Sequence, residues 1–222
     1  MAQLRREALL NGYATLGRDS PWRVSGAHPA PYIVMLSEFL LQQTGVKTVI
    51  PYFERVITRF PTVHKLAAAD EEEIYLYWQG LGYYSRARSL HAAAQEIAGP
   101  LGGKFPDTRA GLLKLKGIGP YTAASILSLA FNEPETIIDG NVVRVICRLY
   151  NLDKPTVEIA DLIRQRAEAL TDRDNPADYA SAIMDLGATV CTPKKPLCTD
   201  CPLRESCLAF RKGTQESIPL IK

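Results

Sequence analysis

Four cysteines near the C-terminal end constrain this chain more than any other feature. Cys191, Cys198, Cys201 and Cys207 read C-x6-C-x2-C-x5-C within seventeen residues. Four thiolates at such spacing can converge on one metal centre, and a segment tied that way needs little apolar core of its own. Zinc and iron–sulfur clusters both accept four thiolates. Structural zinc usually pairs two short hooks, and only one is present, Cys198-Thr199-Asp200-Cys201. The wider gaps suit a larger object, so the spacing favours a cubane cluster over zinc. Lys194 and Lys195 lie in the first gap, either as a solvated pair or as a basic loop facing phosphate. A fifth cysteine, Cys147, stands apart in VVRVICRLY and reads as a small buried hydrophobe.

The other bulk properties set limits. The chain has 222 residues, 46% hydrophobic and 23% charged, which is ordinary for a globular protein with a real core. The first ten residues alternate charge with apolar side chains and lack the apolar stretch of a signal peptide. No run reaches the roughly 18 apolar residues of a membrane span. A reducing compartment is therefore expected, with the cysteines unpaired. A net charge of +2 neither demands nor excludes nucleic acid, so any such contact must rest on a local basic surface.

Hydrophobic periodicity predicts an almost wholly helical chain. Residues 2–17 keep near-helical spacing through Leu4, Ala8, Leu9 and Leu16, and a polar, Pro-rich link runs from Asp19 to Pro31. Further helices are expected over 32–44, 46–60, 70–79 and 84–98, with Gly80-Leu81-Gly82 breaking the last pair. Residues 108–131 read as helix, tight turn, helix. After these come helices over 139–150, 153–170 and 175–190, and a loose polar tail after Phe210.

Three features carry chemistry. In Leu115-Lys116-Gly117-Ile118-Gly119 two glycines let backbone N–H groups approach a phosphate, and a helix N-terminus begins at Pro120. A plain helix–helix turn uses glycine too, but Lys114 and Lys116 tilt the reading towards phosphate. Glu38 lies among Val34, Met35, Leu41 and Gln42. On that largely apolar face desolvation is expected to raise its pKa and make it a proton donor, unless it marks the solvent edge of a core helix. Asp139, in IIDGNVVRV, sits at a helix start, where capping and the helix dipole favour the ionised form. One protonated and one ionised carboxyl form the pair used on glycosidic bonds with cationic transition states.

These residues resemble the endonuclease III superfamily of DNA glycosylases, and within it the MutY adenine branch. The likeness runs through SEFLLQQT, IPYFERVITRFPT, GLGYYSRARSLH, LKGIGPYTAASILSLAF, IIDGNVVRV and MDLGATVCTPKKPLC. LQQT with GLGYYSRAR belongs to the adenine branch; the hairpin and the cysteine loop are common to the superfamily. The resemblance implies an all-α, bilobed helix-hairpin-helix glycosylase fold. A six-helix barrel would span residues 23–131, and residues 1–22 with 132–222 would form a lobe carrying a [4Fe–4S] cluster on Cys191, Cys198, Cys201 and Cys207. DNA would lie between the lobes.

The resemblance also assigns roles. Glu38 would protonate adenine at N7, Asp139 would stabilise or attack the sugar cation, and Tyr121 and Asn141 would orient the carboxylates. Gln43 and Tyr83 would wedge into the helix while the base is flipped. Thr44, Arg86, Lys116, Gly117, Gly119 and Tyr121 would contact DNA. Trp22, Arg23, Leu41 and Ser181 would line the base pocket. Bifunctional members carry a nucleophilic lysine where Tyr121 stands, so base removal without efficient strand cleavage is expected. The 222 residues match the catalytic part of such enzymes, without the C-terminal domain that reads 8-oxoguanine. With Gly45 and Ser181 departing from the pattern, opposite-base and adenine selectivity are expected to weaken. The expected partner is double-stranded DNA with a mismatched or oxidised pair, met by a monomer in the cytoplasm at the nucleoid, not at a membrane. The alternatives are a thymine or uracil mismatch glycosylase acting on G:T, a non-catalytic iron–sulfur DNA-binding protein, or an electron carrier.

Overall fold

The computed structural model describes residues 1–23 and 28–221, apart from the side chain of Leu16. Part of the polar link read at 19–31 lies outside the described residues. The helices are α1 (Ala2–Leu16), α2 (Pro31–Leu41), α3 (Val46–Arg59), α4 (Val63–Ala67), α5 (Glu71–Trp78), α6 (Tyr84–Ala98), α7 (Arg109–Leu112), α8 (Pro120–Phe131), α9 (Gly140–Tyr150), α10 (Ala160–Leu170), α11 (Pro176–Asp185) and α12 (Leu208–Lys212). Among the described residues the only β pairing is an isolated bridge between Pro155 and Leu220. The fold is all-α. Among the described residues no helix is long and apolar enough to cross a membrane.

The chain divides into two compact units, residues 19–131 and residues 1–18 with 132–222. The first break falls between Arg18 and Asp19. In the 19–131 unit α2 is the central element. Every residue from Val34 to Leu40 is buried, including Ser37 and Glu38, because the helix is apolar on nearly all sides. It packs against α3, α6 and α8. α8 is just as enclosed, from Thr122 to Ser128. Phe39, Phe53, Phe60, Leu66, Trp78 and Leu90 fill the space between the helices. Two short helices start on threonine caps: Thr62 accepts from Lys65 N–H at 3.2 Å, and Thr108 from Gly111 N–H at 3.2 Å.

In the second unit α9 is amphipathic, burying Val142, Val145, Ile146 and Leu149 on one face as its periodicity predicts. Cys147 is fully buried, and burial pushes its thiol up to about 11. The buried residues of α1 are Arg5 and Leu9, with Gly12 half-buried beside them. Leu4, expected inward, is 67% exposed. Arg5 takes the inner position because its guanidinium lies 4.7 Å above the Tyr150 ring and donates to Ser206 O at 3.1 Å. Gly12 has Pro202 in the space a Cβ would occupy. The buried carboxylate of Asp185 accepts from Arg18 N and Nε, both at 2.7 Å, tying the end of α1 to α11.

Four expectations are corrected. The helix predicted over 32–44 ends at Leu41, because Gln43 adopts a left-handed conformation, φ 55°. The helix predicted from Asp153 begins only at Ala160, since Thr156 N–H is spent on Leu220 O at 2.8 Å. The helix predicted to reach Val190 widens at Leu186 into one π-helical stretch, with Cys191 N–H on Leu186 O at 2.7 Å. The tail after Phe210 is held down. Ile218 is buried, its carbonyl accepts from Arg148 Nε at 2.8 Å, and Thr214 Oγ1 donates to Asn151 Oδ1 at 2.6 Å.

Candidate active site and cysteine loop

The hairpin is shorter on its first side than the sequence suggests: α7 is one turn, and turns carry Leu113–Gly117 to α8. Leu115 and Ile118 are buried and anchor the turn from below, while Lys114, Lys116 and Gly117 stand exposed. Gly117 has φ +76°, and a Cβ there would meet Ser89 Cβ at 2.5 Å and Phe39 Cε1 at 3.1 Å. Both the conformation and the space require glycine. Gly119 opens onto free space. The first N–H groups of α8 have no acceptor within the helix, so the turn presents backbone donors beside two lysines. Tyr121, half-buried, is the second residue of α8.

Glu38 lies in the same unit, 5% exposed on α2. Of the residues expected around a base, Trp22 is nearly buried and packs edge-on against Phe53, with centroids 5.3 Å apart. That makes it a core residue as much as a pocket wall. Arg23 and Leu41 are half-buried in this unit; Ser181, 8% exposed, lies on α11 in the other.

Arg86 departs from its expected role. It is 8% exposed, and its guanidinium donates to backbone carbonyls and to Thr44 Oγ1 within the protein. Its charge is used inside the fold and is not presented to a phosphate. Thr44 spends its hydroxyl locally on Gln42 O at 3.3 Å. Gln43 and Tyr83 are exposed, and both adopt left-handed backbone conformations.

Asp139 lies in the other unit, at the N-cap of α9. Its Oδ1 accepts from Val142 N–H at 2.7 Å and its Oδ2 from Asn141 Nδ2 at 2.9 Å. Asn141 Oδ1 in turn accepts from Arg144 Nη2 at 2.8 Å. Arg144 Nε donates to Cys191 O at 2.7 Å, and Nη2 also reaches Gly187 O at 2.6 Å. A continuous hydrogen-bonded chain therefore runs from the carboxylate to the first cysteine. Burial lowers the Arg144 pKa, offset in part by the neighbouring Cys191. Gly187 permits the close approach, since a Cβ there would meet Asn141 Cβ at 2.7 Å.

Arg148, one helical turn beyond Arg144, is 2% exposed and holds the cysteine loop from inside. Its Nη1 donates to Thr192 O at 2.7 Å and approaches Cys191 Sγ at 3.4 Å, and Nη2 reaches Pro193 O at 3.0 Å. Cys207 Sγ lies 3.5 Å from Arg148 O. The sequence reading missed both arginines. Their signal was the i, i+3, i+7 spacing of Asn141, Arg144 and Arg148, which puts all three on one side of α9.

All five cysteines are free thiols. Cys201 is pushed up to about 12, first by burial, with Cys191, Cys207 and Cys198 adding to the effect. Cys198 and Cys207 are raised as well, burial again coming first. Backbone N–H groups of Leu203, Phe210 and Ala209 meet the sulfurs of Cys201 and Cys207 and work the other way. Four thiols near one another, with N–H donors and an arginine beside them, fit a positively charged inorganic centre that would take them as thiolates. Among the described residues, no three His, Cys, Asp or Glu side chains converge tightly enough to hold one metal ion.

Comparison with known proteins places the chain. It is 41% identical over 215 residues to an adenine DNA glycosylase of Mus musculus, covering 93% of this chain and 42% of that protein, so it spans well under half of that relative's length. A solved structure of a thermostable thymine-DNA glycosylase superposes with TM-score 0.82 at 27% identity, covering 95% of this chain and 97% of that one. A non-covalent endonuclease III–DNA complex superposes with TM-score 0.73 at 23% identity, over 97% and 99% of the two chains, and shares the fold. The family model described as "HhH-GPD superfamily base excision DNA repair protein" matches residues 36–169, a stretch that contains Glu38, the hairpin and Asp139 but stops short of the four cysteines. By that match, which covers more than half of its length, the chain belongs to the helix-hairpin-helix superfamily of base excision DNA repair proteins.

Proposed function

We propose that this chain carries the catalytic machinery of a monofunctional DNA glycosylase. It releases adenine mispaired with 8-oxoguanine or guanine from double-stranded DNA, acting as a monomer at the nucleoid. The observation that carries the reading is the pair of unlike carboxyl sites. Glu38 is enclosed on an apolar helix, and Asp139 accepts two N–H donors at a helix N-terminus. An enclosed carboxyl is placed to hand a proton to a base, and a carboxyl held by N–H donors is placed to face a developing cation.

The steps follow from that difference. Glu38 gives its proton to adenine N7, so the electron pair of the glycosidic bond leaves with a neutral base. Asp139 faces the cation developing at C1′, held in orientation by Asn141. Water then adds at C1′, and the proton it loses returns to the Glu38 carboxylate. Tyr121 offers no amine for a Schiff base, and Lys116 sits exposed on the turn, so strand scission is not coupled to base release. Gln43 and Tyr83 enter the base stack while the nucleotide is extruded, and a mismatched base costs less to extract. The hairpin's lysines and backbone donors hold phosphate without reading sequence.

Cys191, Cys198, Cys201 and Cys207 would hold a [4Fe–4S] cluster. The C-x6-C-x2-C-x5-C spacing, with one short hook and two wider gaps, supports a multi-iron centre over zinc. When bound, the cluster supplies cross-links that fix the loop against Arg148 and Arg144, and no step of base release passes through it. Iron content and a brown absorbance near about 410 nm test it; a colourless protein carrying one zinc would overturn it.

A second reading, release of thymine from G:T, is favoured by the fold match to a thymine-DNA glycosylase. Single-turnover assays on A:8-oxoguanine, A:G and T:G duplexes separate the two. Adenine release from the first two supports the proposal, and thymine release without adenine release replaces it.

A further inference from the structure

The two residues assigned to the base stack share an unusual backbone. Among the described residues only five non-glycine residues have positive φ, and Gln43 (φ 55°) and Tyr83 (φ 50°) are two of them. Each costs energy to hold, since a Cβ crowds its own backbone there. Both side chains are exposed, so burial of those side chains does not repay the strain. Something else over-determines the two loops.

That something is Arg86, in the first turn of α6. Its Nη1 donates to Phe39 O at 3.3 Å and Leu40 O at 3.1 Å, reaches Gln42 O in a short contact, and meets Thr44 Oγ1 at 3.3 Å. Its Nη2 donates to Leu81 O at 3.4 Å and Gly82 O at 3.3 Å. The residues flanking Gln43 on both sides and the residue before Tyr83 thus hang on one side chain. The carbonyls of Phe39 and Leu40 are orphans at the end of α2, where a cation also complements the helix dipole. The guanidinium is 5.4 Å from the ring centroids of both Trp78 and Tyr83. Trp78 Nε1 adds a donor to Gly82 O at 3.1 Å. Only a planar fork with several N–H groups can bridge two loops in this way; a lysine cannot.

We propose that Arg86 is the positioning residue that locks Gln43 and Tyr83 as a matched pair, so that both enter the DNA base stack together during base extrusion. It touches no reacting atom. This rests on the reading, given above, that those two side chains wedge into DNA.

The test is base extrusion in a duplex carrying 2-aminopurine opposite 8-oxoguanine, read by 2-aminopurine fluorescence, for wild type, Arg86→Lys, Tyr83→Ala, Gln43→Ala and the Arg86→Lys/Tyr83→Ala double variant. Arg86→Lys is expected to lower the extruded fraction about tenfold, the scale of a lost hydrogen bond to a charged group. Adding Tyr83→Ala should lower it little further, because the two act as one unit. Full additivity, or unchanged extrusion in Arg86→Lys, overturns the proposal while leaving the wedge reading intact. Unchanged extrusion in both Tyr83→Ala and Gln43→Ala overturns the wedge reading itself. If Arg86→Lys does not fold, Thr44→Val removes one of the guanidinium's contacts and should lower extrusion in the same direction by about twofold. No effect there overturns the proposal.

Discussion

The two carboxyl groups live in opposite kinds of surroundings. Glu38 is on a helix buried from Val34 to Leu40, in a unit whose core is almost wholly aliphatic and aromatic. Asp139 ends a polar chain that runs through Asn141 and Arg144 to the backbone of the first cysteine. One carboxyl is enclosed among packed helices, and the other ends a network of donors. The roles proposed above, proton donor for Glu38 and partner of the sugar cation for Asp139, draw on this difference. Position is enforced differently too. Glu38 sits within packed helices, and Asp139 is fixed by hydrogen bonds from Val142 and Asn141 at the start of α9.

The contrast can be broken from the Asp139 side. Asp139→Asn keeps a side-chain acceptor for Val142 N–H, and asparagine caps about as well as aspartate, so stability should change by only tenths of a kcal/mol. Base release should nevertheless fall about 10²- to 10³-fold, because the charge facing the sugar cation is gone. Parallel thermal melting and single-turnover rates check this. A variant that loses stability but not rate would make Asp139 a cap and nothing more.

A smaller effect tests the chain behind it. Arg144→Gln removes the bonds to Asn141, Cys191 and Gly187 together. The expected loss is about 1.5–3 kcal/mol of stability per well-made charged bond left unmet, with about a tenfold slower rate if about 1.4 kcal/mol of it reaches the transition state. Retention of iron through size exclusion, measured beside the rate, shows whether the loop and the carboxylate are disturbed at once.

The smallest expected change is at the hairpin. Gly117→Ala meets Ser89 and Phe39 and a left-handed backbone, so a destabilisation of about 1 kcal/mol or more is expected. DNA affinity should fall a few-fold without a change in the rate of bound substrate. Titration of a labelled duplex at two salt concentrations measures it, and an altered single-turnover rate at saturation would implicate the turn in chemistry.

Much of this was legible in the sequence. The boundaries of α5 and α6 follow from Asp70, Gly80 and Gly99, and the buried stripe of α9 follows from Val142, Val145, Ile146 and Leu149. The largely apolar run of α2 predicted a helix but left open whether Glu38 lay within the core or at its solvent edge; it is buried. What escaped depends on long-range backbone partners. Nothing local says that Thr156 pairs with Leu220, so the extended start of the 153–170 segment read as helix. Arg86 and Arg88 look alike in YSRARSLH, yet one is buried beneath two loops and the other is exposed. Arg144 and Arg148 read as ordinary charges on an amphipathic helix, because the carbonyls they satisfy lie more than forty residues away.

The most direct test is the single-turnover rate of adenine release from an A:8-oxoguanine duplex by Glu38→Gln, with duplex affinity measured on the same preparation. The substitution keeps size and hydrogen-bonding capacity but removes the transferable proton. The account expects a loss of about 10²- to 10⁴-fold in rate with affinity close to wild type. A wild-type rate in a protein that still binds the duplex would contradict it.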